Sequence, residues 1–386
     1  MALNRGRVLV GFAESLAAVE SAWCLAEAGY EVVAFTRAGQ RPALASSRRV
    51  RVVRVPAPES SVSDALDGLA ALVAAESPVA VLPLDDHAVY LCDRLPPSVA
   101  VAGPRGARAR LALDKREQVD LATKADLLVP PTALAGTEPP PGDGPWMVKP
   151  ALATVDSGGR LSRPAGSIAR SPADVDRIAT ELGVPALVQP LLDGTGEGLF
   201  GFAIDGRITA LSAHRRVRMM NPRGSSSSAC RSIPVDPELV EPARRFLADA
   251  GWHGIFMLEL LRDAEGRPWF MELNGRAWGS MVLAVRRGLP YPVWAVSAAL
   301  SPGFVPPAVT EGPHVMARHL GRELVHLLAV LRGARGGDAG RWPSRGATLR
   351  AMLRPSRGTR WYNSHEFRVL GRDSWDTVRS QLRRRS

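Results

Sequence analysis

Lysine is nearly missing from these 386 residues: Lys115, Lys124 and Lys149 are the only three, against 46 arginines. Where arginine fills almost every cationic position, a retained lysine marks a place that calls for a compact ammonium rather than a planar fork. The bland alternative for each is a solvated surface charge. Cysteine is equally scarce. Cys24, Cys92 and Cys230 are too few and too scattered for a disulfide framework or a zinc site. No apolar run approaches the roughly 18–20 residues of a spanning helix. No long apolar stretch with a small-residue cleavage site opens the chain. With 46% hydrophobic and 23% charged residues, disorder is excluded as well. The expectation is a soluble, cytoplasmic protein of two or three domains.

The net charge of +11 is unevenly placed. Residues 306–386 hold 16 Arg against 6 acids, whereas residues 1–305 hold 33 basic and 32 acidic groups. A chain that is basic throughout suggests nucleic acid as partner. A neutral body with a basic end suggests an ordinary enzyme carrying a basic appendage.

Apolar strands and Ala-rich helices alternate at the start. Strands are expected over Arg7–Gly11, Glu31–Phe35, Val50–Val55 and Val79–Pro83, and helices over Ser15–Ala28 and Asp64–Glu76. That alternation implies a parallel sheet covered on both faces. Asp85, Asp86 and His87 follow the fourth strand, at the end where open α/β sheets meet ligands. Capping by Asp is the plain alternative. Further on, the pattern predicts one helix over Leu111–Ala125, a strand Trp146–Pro150, a small-residue loop Thr154–Arg160, a helix Ser171–Leu182 and a strand Ala186–Pro190. Loops such as Thr154–Arg160 can lay backbone N–H groups on phosphate. Asp205-Gly206 between apolar runs is a strong hairpin signal, and Pro237–Ala250 reads as a helix.

The chemistry concentrates in residues 255–280. Two apolar strands flank a turn near Glu265-Gly266, a register that sets Glu259 opposite Glu272 with Asn274 two residues on along the same face. Facing carboxylates among apolar neighbours repel and resist desolvation. A divalent cation removes both costs, and two carboxylates with an amide oxygen are hard ligands suited to Mg²⁺ shared with phosphates. Mn²⁺ is the other ion this donor set admits. Arg276 stands two residues beyond Asn274, where a guanidinium could hold a phosphate or a phosphorylated intermediate.

Glu259 followed by Glu272-Leu273-Asn274-Gly275-Arg276 resembles the closing motif of the ATP-grasp superfamily. Upstream, Asp114-Lys115 with Pro130-Pro131-Thr132, and then Val148-Lys149-Pro150, are similar to its two nucleotide-binding lysine segments. Val188-Gln189-Pro190-Leu191-Leu192 resembles its adenine-holding hinge strand, and Gly194-x-Gly196-Glu197-Gly198 its ribose turn. His214-Arg215-Arg216, Gly224-Ser225-Ser226, Gly251-Trp252-His253-Gly254 and Arg276–Ser280 look like the carbamoyl-phosphate-synthase-like branch of carboxylate–amine ligases. Two departures stand out. Pro190 has no backbone donor, so adenine contacts fall to Leu191 or Leu192. Cys230-Arg231-Ser232 replaces a common Glu-Ser pair, which points to a different substrate.

The resemblance implies an α/β chain, α+β in its catalytic part. A parallel-sheet domain would span residues 1–105 and an ATP-grasp domain 106–305, with a lid subdomain at about 143–190. The basic, partly helical C-terminal region would span 306–386. It implies ATP and Mg²⁺, transfer of the γ-phosphoryl group to a carboxylate, and attack by an amine with release of ADP and phosphate. Lys115 and Lys149 would bind phosphates, Gln189 and Leu192 would flank adenine, and Glu197 would take the ribose. Glu259, Glu272 and Asn274 would hold the metal. Arg276 would stabilise the acyl phosphate, and Arg218 or Arg216 would bind phosphate or the substrate carboxylate. Small-molecule carboxylates and amines, amino acids first among them, are the expected partners.

Two rivals remain at this stage. One is a phosphotransferase on the same scaffold. The other is a nucleotide-regulated binder of an acidic polymer or membrane surface through the tail, where Trp361, Tyr362, Phe367 and Trp375 interleave with arginines. A solvated basic face is preferred to nucleic-acid binding. The apolar face of Arg318–Leu331 is expected to pack on the core or on a second subunit of a homodimer.

Overall fold

The computed structural model describes residues 5–222, 226–334, 342–354 and 358–383. Gly224 and Ser225, singled out above, lie outside these residues. The first sheet is parallel, in the order β3-β2-β1-β4, with β1 Arg7–Gly11, β2 Glu31–Arg37, β3 Val50–Val55 and β4 Ala80–Pro83. Both faces are buried, as the near-continuous apolar strands require. Val8, Val10 and Ala34 pack with Trp23 of helix α1 (Ala18–Glu27) on one side. Leu9, Val33 and Phe35 pack with Leu69 of α2 (Val62–Glu76) on the other. Helix α3 (Asp86–Asp93) starts directly beyond β4.

The single helix expected over Leu111–Ala125 is in fact two, α4 (Ala107–Leu113) and α5 (Lys115–Lys124). Asp114 separates them in an extended conformation. Its carboxylate caps α5 by accepting from the Arg116 and Glu117 amides. The break frees the Lys115 amide to donate to the Ala151 carbonyl at 2.8 Å. Periodicity alone hid this, because the apolar spacing continues across the cap.

A small sheet follows, in the order β5-β10-β6-β9 (β5 Ala133–Leu134, β6 Trp146–Pro150, β9 Ser167–Ala169, β10 Ala186–Pro190). Helix α6 (Pro172–Leu182) covers it, capped by Ser171 and ended by Gly183 in the left-handed region. Between β6 and β9, the hairpin of β7 (Val155–Asp156) and β8 (Leu161–Ser162) reaches to the first domain. Leu161 enters the core beside Leu69. Val62 N–H donates to Gly159 O at 2.7 Å, and the Tyr90 hydroxyl to Asp156 at 2.7 Å. The Thr154–Arg160 loop, whose Gly-Gly pair is a weak signal for phosphate beside that for a plain turn, is thus docked on α2 and α3.

The largest sheet runs β15-β14-β11-β12-β13-β16-β17. Its members are β11 Thr195–Ile204, β12 Arg207–Met219, β13 Ser227–Ile233, β14 Gly254–Arg262, β15 Pro268–Asn274, β16 Met316–Arg318 and β17 Thr359–Trp361. Asp205 and Gly206, both at positive φ, form the two-residue turn between β11 and β12. Helix α7 (Pro237–Asp249) packs against one face, and α8 (Met281–Val285) and α9 (Tyr291–Leu300) join this sheet to the first domain.

The C-terminal region adds two strands to this sheet and three helices, α10 (Leu320–Arg332), α11 (Arg345–Leu353) and α12 (Phe367–Arg383). Glu323 of α10 is fully buried. It accepts from Arg218 at 2.9 and 2.7 Å, from Arg318 at 3.0 Å and from Ser228 at 2.8 Å. Helix α10 buries Val325, Ala329 and Val330 while leaving Leu324, Leu328 and Leu331 partly exposed. Several contacts tie this region to residues 20–48. Asn363 N–H donates to Glu20 at 2.8 Å, and Ser47 to Glu366 at 2.5 Å.

Replacing Glu323 with Ala leaves two guanidinium groups without their shared carboxylate. Such a loss costs about 3–5 kcal/mol, to be read as a fall in the urea midpoint. An unchanged midpoint would show that this cluster does not anchor α10.

Candidate functional site

The hairpin β14–β15 pairs Met257 with Asn274, Leu258 with Leu273 and Glu259 with Glu272, so the two carboxylates face each other as the sequence implies. Below this level the register slips, with Leu260 opposite Phe270. Met271 is the extra, bulged residue, and the turn is correspondingly longer than Glu265-Gly266. A bulge beside a site re-aims side chains without disturbing the pairs above it.

Each carboxylate has its own cation. Glu259 contacts Arg216 of β12. Glu272 Oε2 lies 3.5 Å from Lys115 Nζ, which the helix break at Asp114 has placed at the start of α5. Asn274 Nδ2 lies 3.5 Å from Glu272 Oε1, which leaves its amide oxygen as a third ligand on that face. Burial, resisted by Arg216 and reinforced by Glu272, holds the Glu259 carboxyl above the usual range. Burial also acts on Glu272, but Lys115 and then Lys149 carry it below that range. Lys149, on β6, is pushed down to about 8 by burial and then by Lys115. Both retained lysines singled out above therefore converge on this pair.

Arg276 is held by Asp86, with Nε donating to Oδ1 at 2.8 Å. Arg163 reaches the other oxygen of Asp86 at 2.8 Å. Asp86 is buried at the start of α3 and is kept ionised by Arg276 and Arg163 against desolvation. A cavity of about 280 Å³ is lined by Asp86, Lys115, Arg163, Glu272 and Asn274. Asp85 and His87 play other parts. Asp85 caps α3 and pairs with Arg37, and His87 meets Glu59. Arg163 carried no signal in the sequence, since it is one arginine among many in a loop.

At the hinge, Gln189 is buried and donates to Thr132 Oγ1 at 2.8 Å, joining two segments that the sequence groups together. Leu191 N–H is committed to the Pro145 carbonyl at 2.8 Å. Of the two candidates for an adenine contact, Leu192 is left. It lines a cleft of about 760 Å³ together with Gly196, Arg216, Arg218 and Leu261.

Two expectations are corrected. Glu197 is buried, and both its oxygens are taken, by Arg215 at 2.6 Å and Arg262 at 2.8 Å. It belongs to strand β11 rather than to a ribose turn. Gly198 is the residue opposite Glu259, so alternation turns Glu197 to the other face. The glycines on either side serve packing. A Cβ at Gly196 would lie 2.6 Å from the Arg216 side chain, and one at Gly198 2.6 Å from His214. Arg218, expected near phosphate or substrate, is bound at both ends of its fork by Glu323.

Among the described residues no group of three His, Cys, Asp or Glu side chains is arranged to cage a metal. Two carboxylates and an amide oxygen fit Mg²⁺ that completes its shell with substrate phosphates and water. Cys230 is buried against the Tyr362 hydroxyl at 3.1 Å, and burial pushes its thiol up to about 11, which removes it as a nucleophile.

His214 is buried, with Ser280 Oγ at 2.8 Å from Nδ1, and burial lowers its pKa to about 3. It stays neutral at physiological pH and is too weak a base to accept a proton there. The unfolded chain takes up this proton below about pH 6.5 and the folded chain does not, so stability falls as pH drops from there toward 3. His214→Gln is expected to flatten the fall in melting temperature between pH 7 and pH 4.5. An equally steep fall in the variant would show that His214 is not its source.

No protein-family model matches the chain, and no curated protein matches it by sequence. Solved structures do. An L-amino acid ligase from Bacillus licheniformis superposes with a TM-score of 0.57 at 15% identity, covering 76% of this chain and 73% of that one. A biotin carboxylase from Campylobacter jejuni, complexed with β,γ-ATP, gives 0.60 at 15%, covering 80% and 74%. An N5-carboxyaminoimidazole synthetase from Staphylococcus aureus gives 0.60 at 13%, covering 83% and 84%. Together with the paired sheets and the hairpin register, these likenesses show that the chain has the ATP-grasp fold.

Proposed function

We propose that this protein is an ATP-dependent carboxylate–amine ligase that forms an amide through an acyl phosphate and releases ADP and phosphate. The observation that carries the reading is the register pair Glu259–Glu272, with Asn274, Lys115 and Lys149 gathered at one place. The ligase and carboxylase names of the structural neighbours point the same way.

Little covalent chemistry falls to the protein in such a reaction; catalysis is positioning and neutralisation. Leu192 offers its backbone N–H and apolar side chain to the adenine, and Gln189 fixes the hinge through Thr132. Lys115 and Lys149 meet the phosphates, where added negative charge favours the charged form of Lys149. Glu259, Glu272 and Asn274 would hold Mg²⁺, which supplies charge neutralisation to the phosphates when bound. Arg276, oriented by Asp86, faces the charge that builds on the transferring group. Arg216, which contacts Glu259, is the guanidinium we assign to a substrate carboxylate. The small-molecule substrates we infer are an amino acid or similar carboxylate and an amine, joined in the cytoplasm.

Glu272→Ala is expected to lower ADP formation at least a hundredfold, on the order of 3 kcal/mol in barrier height, with an unchanged fold. The assay is an ADP-release screen over carboxylate and amine libraries, with mass detection of the condensed product. Unchanged turnover of the variant at saturating Mg²⁺ would overturn the metal assignment. Phosphate retained on an acceptor would assign a phosphotransferase instead.

A further inference from the structure

At the carboxyl ends of β1 and β2, a third cavity of about 480 Å³ lies between the loops at 13–16 and 40–43 and helices α10 and α12. Glu272, Asn274 and Lys115 line one other cavity and Leu192 another. The charges around this one do not balance. Glu14 is taken by Thr36 at 2.6 Å and by Arg37 at 3.2 Å. Asp373 is taken by His319 at 2.9 Å and Asn363 at 2.7 Å, and Asp376 by Arg372 at 2.6 Å. Arg41, Arg322 and Arg379 also line it, and among the described residues no carboxylate lies within ion-pair distance of any of them.

Arg322 is the telling one. It stands in the first turn of α10, and its guanidinium donates to one carbonyl, that of Ser227 at 3.2 Å. Burial lowers its pKa, and Tyr362 and the more distant Asp373 only partly oppose it. Every other deeply placed guanidinium described above has a carboxylate: Arg218 and Arg318 have Glu323, and Arg276 has Asp86. A half-buried cation with no carboxylate in ion-pair range carries a cost that an incoming anion removes, and a guanidinium fork matches carboxylate and phosphate alike.

We propose that this cavity binds a small metabolite through a carboxylate or phosphate group that pairs with Arg322, while Arg41 and Arg379 meet its outer end. The volume lies within the range of small-molecule sites, ~300–1,000 Å³. Leu16 links it to the chemistry: it lines the cavity and packs so tightly on Gly279, three residues beyond Arg276, that a Cβ there would overlap it. The inference rests on the cavity itself and stands apart from the ligase reading.

The test is calorimetric titration of the full chain with inorganic phosphate and with succinate. Arg322→Ala, and the double variant Arg41→Ala/Arg379→Ala, are each expected to weaken binding at least tenfold. Lys124→Ala, at the end of α5 and outside both sites, should leave that binding unchanged. Arg41 and Arg379 are both exposed, so the double variant keeps its fold even if Arg322→Ala does not. Binding lost in Lys149→Ala but intact in the double variant would place the anion among the nucleotide-site lysines and overturn the proposal, as would no binding of either probe. An anion bound here and consumed with ADP release marks the acceptor subsite. One bound and not consumed marks an effector site.

Discussion

Two like charges face each other at Glu259 and Glu272, on strands whose other side chains are mostly apolar. Left alone, such a pair would push the hairpin apart or take up a proton. The surroundings answer it asymmetrically, with Arg216 from β12 on one side and Lys115 and Lys149 from two other segments on the other. Much of the architecture can be read as delivery of those cations. The cap at Asp114 sets where α5 begins, and hence where Lys115 stands. The small sheet sets Lys149. The bare glycines of β11 make room for Arg216. Asp86 extends the pattern outward by pairing Arg276 with Arg163 across the domain boundary.

This arrangement also explains how little sequence identity the fold needs. At 13–15% identity the solved neighbours share the layout of sheets. Their names differ: an L-amino acid ligase, a biotin carboxylase and an N5-carboxyaminoimidazole synthetase. One fold can carry different sites, so the likeness speaks for the scaffold and not for a shared substrate.

Alternation puts Glu272 and Asn274 on a single face, whereas the pairing with Glu259 comes from a turn placed at Glu265-Gly266 and is good to about one two-residue step. The slip at Met271 was not legible, since a bulge changes pairing without changing composition. The helix break at Asp114 was hidden by apolar spacing that runs through it, although Asp is a common cap. Glu197 was misplaced for a related reason: three glycines suggest a turn, yet Gly196 and Gly198 belong to a strand crowded by Arg216 and His214. Arg218 and the integration of the C-terminal region depended on Glu323, a single acid more than a hundred residues away. Long-range partnership of that kind leaves no periodic trace.

The contacts of Asn363 with Glu20 and of Glu366 with Ser47 span 343 and 319 positions of the chain. Synthesis proceeds from the N-terminus, so β1, β2 and α1 emerge long before their last partners exist. Their surface around Glu20 and Ser47 must wait while more than 300 further residues are made, and β16 and β17 join the large sheet after β11 to β15. The molecule is closed like a buckled strap, and contacts of such long range bring folding order, rather than local propensity, into play as the limiting step.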